Sequence, residues 1–204
     1  MQQTDPAGPV RVVSSRACRN DGIVEMFRAS FPRHPLAVLD PGLANAFLDA
    51  FAARNTLWVA SNGNAPRAPG FLIGGETAAL DAVRRAFIHE HAPRIALASV
   101  RNRALRRLVI PRLLPAKSYG AARFRAYQLR FIAVDASERG TGIGSALVCA
   151  FEKGLADADG YHAWTMAGPT GAEGFFARLG FVRDFAVGAH LRMIKRLKEH
   201  SAER

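Results

Sequence analysis

Three glycines at alternate positions form the clearest chemical motif of the 204-residue chain. Gly140, Gly142 and Gly144 stand between a stretch typical of a strand and a stretch typical of a helix. Because glycine lacks a Cβ, the backbone there can approach a ligand closely and its amides can converge on one point. The unpaired amides and the dipole of a helix N-terminus favour a phosphate or pyrophosphate, and Arg139 adds a positive charge. The motif indicates either a phosphate-binding turn or a glycine-rich turn without a ligand.

The spacing of these glycines differs from two other phosphate-binding motifs. It is not Gly-x-Gly-x-x-Gly, and no Gly-Lys-Ser or Gly-Lys-Thr occurs, which excludes a dinucleotide fingerprint and a P-loop. Cys18 and Cys149 have no metal-ligand spacing, and residues 89–91 (His-Glu-His) are too close together for two ligands on one helical face. We therefore expect no metal site, and we expect Cys149 to lie in the core.

Apolar periodicity and turn residues predict seven strands and six helices around the motif. The strands are predicted at residues 10–14, 56–61, 70–73, 126–134, 161–166, 181–185 and 190–194. The helices are predicted from residue 20 or 21 to before Pro32, and at 43–53, 81–89, 95–110, 141–156 and 171–179. This order predicts an α/β fold with helices packed on a sheet.

A second motif, Phe-Phe-Ala-Arg-Leu-Gly-Phe at residues 175–181, follows about 30 residues after the glycines. Together, residues 132–134, 139–147 and 175–181 resemble the GNAT N-acetyltransferase superfamily, whose motifs read Arg/Gln-x-x-Gly-x-Gly/Ala and Phe-Tyr-x-x-Leu-Gly-Phe. The resemblance implies a mixed, splayed β-sheet flanked by helices. It also implies an acyl-CoA-dependent N-acetyltransferase that takes its acetyl group from acetyl-CoA.

The resemblance assigns a cofactor site. The pantetheine arm and the acetyl carbonyl are expected along the backbone of Ile132, Ala133 and Val134. The pyrophosphate of acetyl-CoA is expected on Arg139, Gly140, Thr141, Gly142, Ile143, Gly144 and Ser145. Phe176 is expected beside the cofactor, but it stands where the family often has the Tyr that protonates the leaving thiolate, and Pro169 stands where an Asn often contacts the cofactor. Proton delivery therefore does not carry over from the family, whereas backbone binding of the cofactor does.

Several side chains are candidates for proton transfer or acceptor binding. Glu76 follows the third predicted strand and is either a general base acting through water or a solvated carboxylate. Tyr127 on the central strand is either a proton donor or a packing residue. His162 fits a structural histidine better than a catalytic one. Arg33 and His34 lie between the first two helices, which border the acceptor site in this superfamily.

The net charge of +11 is concentrated between residues 84 and 130. This stretch holds 12 Lys and Arg with one acid, Glu90, leaving 16 basic and 16 acidic residues elsewhere. We expect one GNAT domain over residues 1–204, with a basic helical insert at about 78–117 in which Leu97 and Val100 lie on one apolar stripe. The alternatives are a solvated cover for the sheet edge, or contacts with an anionic membrane, with RNA or with a phosphorylated acceptor.

The expected reaction is transfer of an acetyl group to a primary amine, with an amino sugar or a nucleotide-linked amino sugar as the favoured acceptor. The alternatives are aminoacyl-tRNA, a protein or peptide amine, and a GNAT-fold protein that binds CoA without catalysis. A homodimer is left open. Since no apolar run approaches about 18 residues and no signal peptide is evident, we expect a cytoplasmic protein.

Overall fold

The chain forms both strands and helices over the part that the structure describes, which is residues 11–14, 21–32, 34–38, 40–61, 67–102, 126–155, 158–168 and 171–198. The structure is a computed structural model. Its strands are β1 (Arg11–Ser14), β2 (Leu57–Ser61), β3 (Gly70–Glu76), β4 (Tyr127–Val134), β5 (Gly160–Met166), β6 (Val182–Val187) and β7 (His190–Arg196). Its helices are α1 (Asp21–Ser30), α2 (Pro35–Val38), α3 (Pro41–Ala52), α4 (Thr77–Glu90), α5 (Ala92–Arg101), α6 (Ile143–Lys153) and α7 (Glu173–Arg178).

All seven strands belong to one sheet, in the order β1-β2-β3-β4-β5-β7-β6. β4 and β5 are parallel, and every other neighbouring pair is antiparallel. Parallel strands need a crossover connection, and α6 lies in the one between β4 and β5. The expected α/β fold with a mixed sheet is confirmed.

Helices α1 to α4 cover one face of the sheet, called here the α1 face. The helical side chains Phe27, Phe51 and Leu80 are at most 1% exposed, and they pack in one cluster with Phe71 and Ile73 of β3. Burying a side chain of this size contributes about 1.5–3 kcal/mol, so these contacts hold the helices on the sheet.

Helices α6 and α7 cover the opposite face, called here the α6 face. Leu147 and Phe151 of α6 are fully buried against Leu72 of β3 and Leu129 of β4. Gly74 is required at this contact, because a Cβ there would lie 2.7 Å from the ring of Phe151. The glycine therefore allows α6 to pack closely on β3.

Several element boundaries differ from the prediction, and three of the differences have a clear local reason. β3 continues to Glu76 instead of residue 73, because it stays paired with β4 as far as Tyr127. α4 begins at Thr77 instead of residue 81, and this added turn places Leu80 in the core. α6 ends at Lys153 instead of residue 156, since Gly154 follows it as the C-cap.

The prediction that Cys149 lies in the core is wrong, because its side chain is exposed. The buried residues of α6 are Ile143, Leu147, Val148 and Phe151. Cys149 is two positions from Leu147, which turns it about 200° around the helix axis, away from the sheet. The apolar residues on either side of a helical position do not show which way that position faces.

The prediction for α5 is partly wrong. Leu97 and Val100 are 53% and 74% exposed, whereas Ile95 and Ala98 pack against the core of the α1 face. The helix therefore buries a different stripe from the one that Leu97 and Val100 define. The remainder of the predicted helix, to residue 110, lies outside the described residues, as does the later part of the expected basic insert, residues 103–117.

The central strands β4 and β5 part halfway along their length. They are paired at Gln128–His162 and Leu129–Ala163 and not beyond. The next residue, Arg130, is an extra residue of β4 in its pairing with β3, where Ile73 lies opposite Phe131 and Gly74 opposite Leu129. A bulge of this kind bends a strand and increases its twist, which accounts for the divergence of β4 from β5.

Candidate functional site

The turn that follows β4 is held by hydrogen bonds from its own side chains. Asp135 Oδ1 accepts from the Ser137 backbone N–H at 2.9 Å and from its hydroxyl at 2.6 Å. These bonds are the main reason that the pKa of Asp135 lies below its usual value. Thr141 Oγ1 donates to the Glu138 carbonyl at 2.7 Å. Local side chains therefore set the direction in which the chain enters the glycine run.

Two glycines of the run adopt conformations that other residues rarely take. Gly140 and Gly142 have φ angles of +84° and +90°, and a Cβ at either position would meet no atom within 4 Å. Packing therefore does not require glycine at these two positions, whereas the backbone conformation does. At Gly144 the opposite holds, because a Cβ would lie 3.0 Å from the Phe175 ring. The first two glycines thus leave open space beside the backbone.

The N-terminus of α6 presents unpaired amides at this open space. The first bonded amide is that of Ala146, which donates to the Gly142 carbonyl at 2.9 Å. The amides of Gly142, Ile143, Gly144 and Ser145 precede it, and no side chain caps the helix among the described residues. Four free N–H groups and the positive end of the helix dipole form a site that suits a phosphate or pyrophosphate.

Beyond the bulge, no strand among the described residues pairs with the edge of β4 that faces away from β3. The Asp135 amide donates to the Pro69 carbonyl at 2.9 Å on the β3 side. Since backbone groups alternate along a strand, Ala133 bonds towards β3, while Ile132 and Val134 point their N–H and C=O groups towards the gap between β4 and β5. Of the three residues expected along the pantetheine, Ile132 and Val134 present a free backbone edge.

These two features fit an acyl-CoA. The free edge of β4 can hydrogen-bond a pantetheine arm as an adjacent strand would, and it ends at the free amides of α6. The Cγ2 of Val134 lies 3.6 Å from the Cβ position of Gly144, so the two parts of the cradle are continuous. Both parts consist of backbone groups, which makes the fit independent of the family's missing Asn.

The glycine turn and the diverging central strands are the features expected of an acyl-CoA N-acyltransferase, and comparison with known families supports this expectation. Residues 113–183 match the Acetyltransferase (GNAT) domain, a range that includes β4, the glycine turn, α6, β5 and α7. This region of the chain therefore matches a GNAT acetyltransferase domain, as its motifs predict. The match and the shared fold support an acyl-CoA N-acetyltransferase that takes its acetyl group from acetyl-CoA.

Solved structures share the fold over nearly their whole length. The crystal structure of SsHAT is similar with a TM-score of 0.66 at 22% identity, covering 93% of this chain and 99% of that one. An N-acetyltransferase from Staphylococcus aureus Mu50 gives 0.61 at 13% identity, covering 90% and 99%. The histone acetyltransferase HPA2 and related acetyltransferase from Corynebacterium glutamicum ATCC 13032 gives 0.51 at 18% identity, covering 95% and 99%. No curated protein matches the sequence significantly.

The structure brings together the two residues proposed for proton transfer. Glu76 at the end of β3 lies directly opposite Tyr127 at the start of β4. Such cross-strand pairs share a face of the sheet, with Cβ atoms about 4.5–5.5 Å apart. Tyr127 is partly buried against the core of the α6 face, and Glu76 is exposed. Tyr127 and Arg130 are three positions apart on β4, which corresponds to about 10 Å at the usual rise of a strand.

Phe176 lies deeper than the resemblance implies. It is 2% exposed and packs against Phe181, with ring centroids 5.0 Å apart. Its neighbour Phe175 is partly exposed and lies against Gly144 at the start of α6. Phe175 is thus the ring nearer to the expected cofactor, which the sequence motif does not reveal. Pro169 lies outside the described residues.

On the α1 face, His34 packs against the central strand β4. The His34 and Phe131 rings pack edge to face with centroids 5.2 Å apart, and Phe27 and Phe31 complete the cluster. His34 Nδ1 accepts a hydrogen bond from the Leu36 amide at 3.3 Å, so the neutral ring carries its proton on Nε2. Arg33 lies outside the described residues. His34 is therefore a half-buried group next to the bulge of β4.

Two charged or titratable side chains of the central strands are buried or largely buried. His162 of β5 is 5% exposed, in keeping with a structural role. The side chain of Arg130 of β4 is 13% exposed, and its Nη2 lies 2.7 Å from Asp81 Oδ1 of α4. In the sequence Arg130 falls within the basic stretch, and no motif gives it a role. The available signal was a charged residue inside the apolar strand 126–134, where few charges are tolerated without a partner.

Proposed function

We propose that this acetyltransferase transfers the acetyl group of acetyl-CoA to a small primary amine, with amino sugars and nucleotide-linked amino sugars as the favoured acceptors. The observation that carries the proposal is the continuous backbone cradle from the α6 amides to the point where β4 and β5 part. A thioester at that point lies between the two faces of the sheet. The acceptor can then approach from the α1 face, where Phe131 and His34 lie.

In the proposed reaction, backbone groups position the donor. The amides of 142–145 hold the pyrophosphate, and Ile132 and Val134 hold the pantetheine arm. Acetyl-CoA supplies an activated acetyl group on a thiol that can leave. The neutral amine attacks the acetyl carbon, the C–S bond breaks, and the proton lost by nitrogen balances the proton that the thiolate needs.

Proton movement is assigned to Glu76 and Tyr127. Phe176 has no hydroxyl and is buried, so it cannot protonate the thiolate. Glu76 is exposed and can pass the amine's proton to solvent, and Tyr127 is the hydroxyl placed opposite it. The separation of about 10 Å from the bulge means that water must connect this pair to the reacting atoms.

The assay is thiol release from acetyl-CoA with a panel of amines, alongside calorimetric titration with CoA. We expect turnover with at least one small amine. CoA binding without turnover on any amine of the panel would instead favour a CoA-binding protein without catalysis, and absence of CoA binding would overturn the proposal itself. An extract incubated with labelled acetyl-CoA identifies the natural acceptor.

The roles of Glu76 and Tyr127 are tested by Glu76→Gln and Tyr127→Phe. We expect each to lower kcat by about 10²-fold or more with little change in KM. The matched control is Glu90→Gln, which changes an exposed acid at the far end of α4. Equal activity of all three variants would exclude the pair from proton transfer.

A peptide amine is the second acceptor class, because one similar structure is titled a histone acetyltransferase. An RNA-linked acceptor depends on Arg103, Arg106 and Arg107, which lie outside the described residues. An RNA acceptor predicts tRNA binding that falls steeply with salt and is lost when all three become Gln. The cytoplasmic location and the homodimer stay predictions. Among the described residues, no helix has both the length and the apolar character needed to cross a membrane.

A further inference from the structure

The bulge of β4 carries a largely buried arginine, Arg130, whose side chain is held on two sides. Arg130 Nη2 donates to Asp81 Oδ1 at 2.7 Å and to Gln128 Oε1 at 2.9 Å, and Nε donates to the same Gln128 oxygen at 3.2 Å. Gln128 is two residues earlier on β4, and Asp81 lies on α4. These bonds direct the guanidinium to the α1 face of the sheet, beside the point where β4 and β5 part.

Hydrogen bonding at this cluster is incomplete. Among the described residues, two buried side-chain polar atoms lack a partner, Arg130 Nη1 and Thr77 Oγ1. Thr77 lies one helical turn before Asp81 on α4, so both atoms belong to the same region. A buried donor without a partner costs about 1–3 kcal/mol, and such groups commonly mark a bound water, ion or functional contact.

The charges of the cluster favour an anion. Asp81 is shared between Arg130 at 2.7 Å and Arg84 at 3.8 Å, so one carboxylate faces two guanidinium groups. Burial lowers the pKa of Arg130, and the positive charge of Arg84 contributes in the same direction. An additional negative group would relieve both effects. The planar guanidinium fork suits carboxylate and phosphate oxygens in particular.

The position of the cluster connects it to the reaction. Leu129–Ala163 is the last pair between β4 and β5, and Arg130 is the next residue. A thioester held at the divergence would therefore lie beside the Arg130 backbone, with the guanidinium on the face from which the amine approaches. A group bonded to the guanidinium would belong to the acceptor and lie a few bonds from its amine.

We propose that Arg130 selects acceptors in which the primary amine is accompanied by a carboxylate or phosphate group. The inference rests on the proposed function and deepens it by naming the acceptor class. It favours amino acids and phosphorylated amino compounds over polyamines and lysine-rich peptides, because a cationic acceptor would add charge to a site that already has an excess of positive charge.

The test compares acceptors that differ only in the anionic group, using protein loaded with CoA for binding and with acetyl-CoA for turnover. The phosphate pairs are phosphoethanolamine with ethanolamine and glucosamine 6-phosphate with glucosamine. The carboxylate pair is β-alanine with ethylamine, and spermidine represents polyamines. We expect at least one anionic member to bind more than tenfold tighter than its partner. The pairs that respond distinguish phosphate from carboxylate.

Variants of Arg130 and Asp81 should change the preference for anionic acceptors in opposite directions, which distinguishes a role in acceptor recognition from a role in stability. Arg130→Gln should remove the preference for the anionic member, and Arg130→Lys should keep part of it. Asp81→Asn frees the guanidinium and should increase the preference. Arg85→Gln, an exposed position on α4, is the control for loss of one positive charge and should leave it unchanged.

These measurements distinguish recognition of an anionic acceptor from a purely structural role of the ion pair. No preference for anionic members in wild type, or an equal preference in Arg130→Gln, would overturn the inference. A matched loss of thermal stability in Arg130→Gln and Asp81→Asn with unchanged preference would assign the ion pair a purely structural role. If CoA itself does not bind, the proposed function fails first, and this result is distinct from CoA binding without anion preference.

Discussion

The phenol of Tyr161 on β5 donates a 2.5 Å hydrogen bond to Glu152 Oε1 on α6, and Lys195 Nζ on β7 lies 2.6 Å from the same oxygen. The tyrosine ring is fully buried between Phe151 and Phe181, with centroids 5.2 and 5.1 Å away. A polar contact thus borders the core of the α6 face, where it ties the crossover helix to β5 and β7, which lie on the same side of the gap.

This contact predicts a loss of stability at alkaline pH. Burial, followed by the bond to Glu152, raises the pKa of Tyr161 above its usual value near 10. An unfolded tyrosine releases its proton near pH 10 and the folded one does not, so the stabilisation is complete below pH 10 and falls as pH rises above it. Urea unfolding of Tyr161→Phe should show a smaller loss between pH 9 and 11 than wild type. Identical losses would contradict this account.

The glycine turn predicts a specific defect in CoA binding. Gly142→Leu should weaken CoA binding more than tenfold, about 1.4 kcal/mol, because the side chain enters the space beside the α6 amides. The matched control is Gly188→Leu, since Gly188 also has a positive φ, +56°, and open space around its Cβ position. Both variants should lose about 1–2 kcal/mol of stability from backbone strain. Equal CoA affinity of the two in calorimetry would reject the phosphate assignment.

The ionised carboxylate of Asp135 is expected to support cofactor binding equally at all pH values near neutral. Its carboxylate accepts the Ser137 bonds that shape the turn before the glycines, and these bonds lower its pKa. The stabilisation is therefore present above the ordinary pKa of about 3.9 and disappears as pH falls through the lower folded value. Asp135→Asn should reduce CoA affinity between pH 6 and 8 by a constant factor.

Ser137→Ala provides the comparison for this effect. It removes the hydroxyl donor and keeps the backbone donor to Asp135, so its loss of affinity should be smaller than that of Asp135→Asn. Titrations of both variants with CoA measure the two losses. A larger effect of Ser137→Ala would mean that the hydroxyl acts on the cofactor and not on the turn.

The exposure of Cys149 predicts that its thiol reacts in the native protein. Its side chain is exposed on α6, about 9 Å along the axis from the first residue of the helix. Maleimide should modify Cys149 without denaturant, and saturating CoA should not slow the reaction, because the cofactor is expected at the helix N-terminus. Peptide mass spectrometry distinguishes this cysteine from Cys18. Modification only after unfolding would contradict the described orientation of α6.

Local physical chemistry explains why much of the fold is predictable from the sequence. The glycine run, the apolar stripe of α6 and the alternation in β4 depend on neighbours within a few residues, and they define the strand–turn–helix unit proposed to bind the cofactor. Positive φ angles at Gly140 and Gly142 follow from residue type, since other residues rarely adopt them. The Phe-Phe-x-x-Leu-Gly-Phe segment also depends on residues close in sequence, and it predicts α7 and the turn after it.

Tertiary structure decided what depends on residues distant in sequence. The pairing of Glu76 with Tyr127 is set by the register of β3 and β4, and the extra residue at Arg130 opens the gap to β5. The ion pair of Arg130 with Asp81 joins positions 49 residues apart, so a charge that the sequence assigns to a basic stretch is buried at the centre of the sheet. Pairing and packing across the sheet select among side chains that local patterns leave equivalent, and for this reason only the folded chain shows which of them meet at the site.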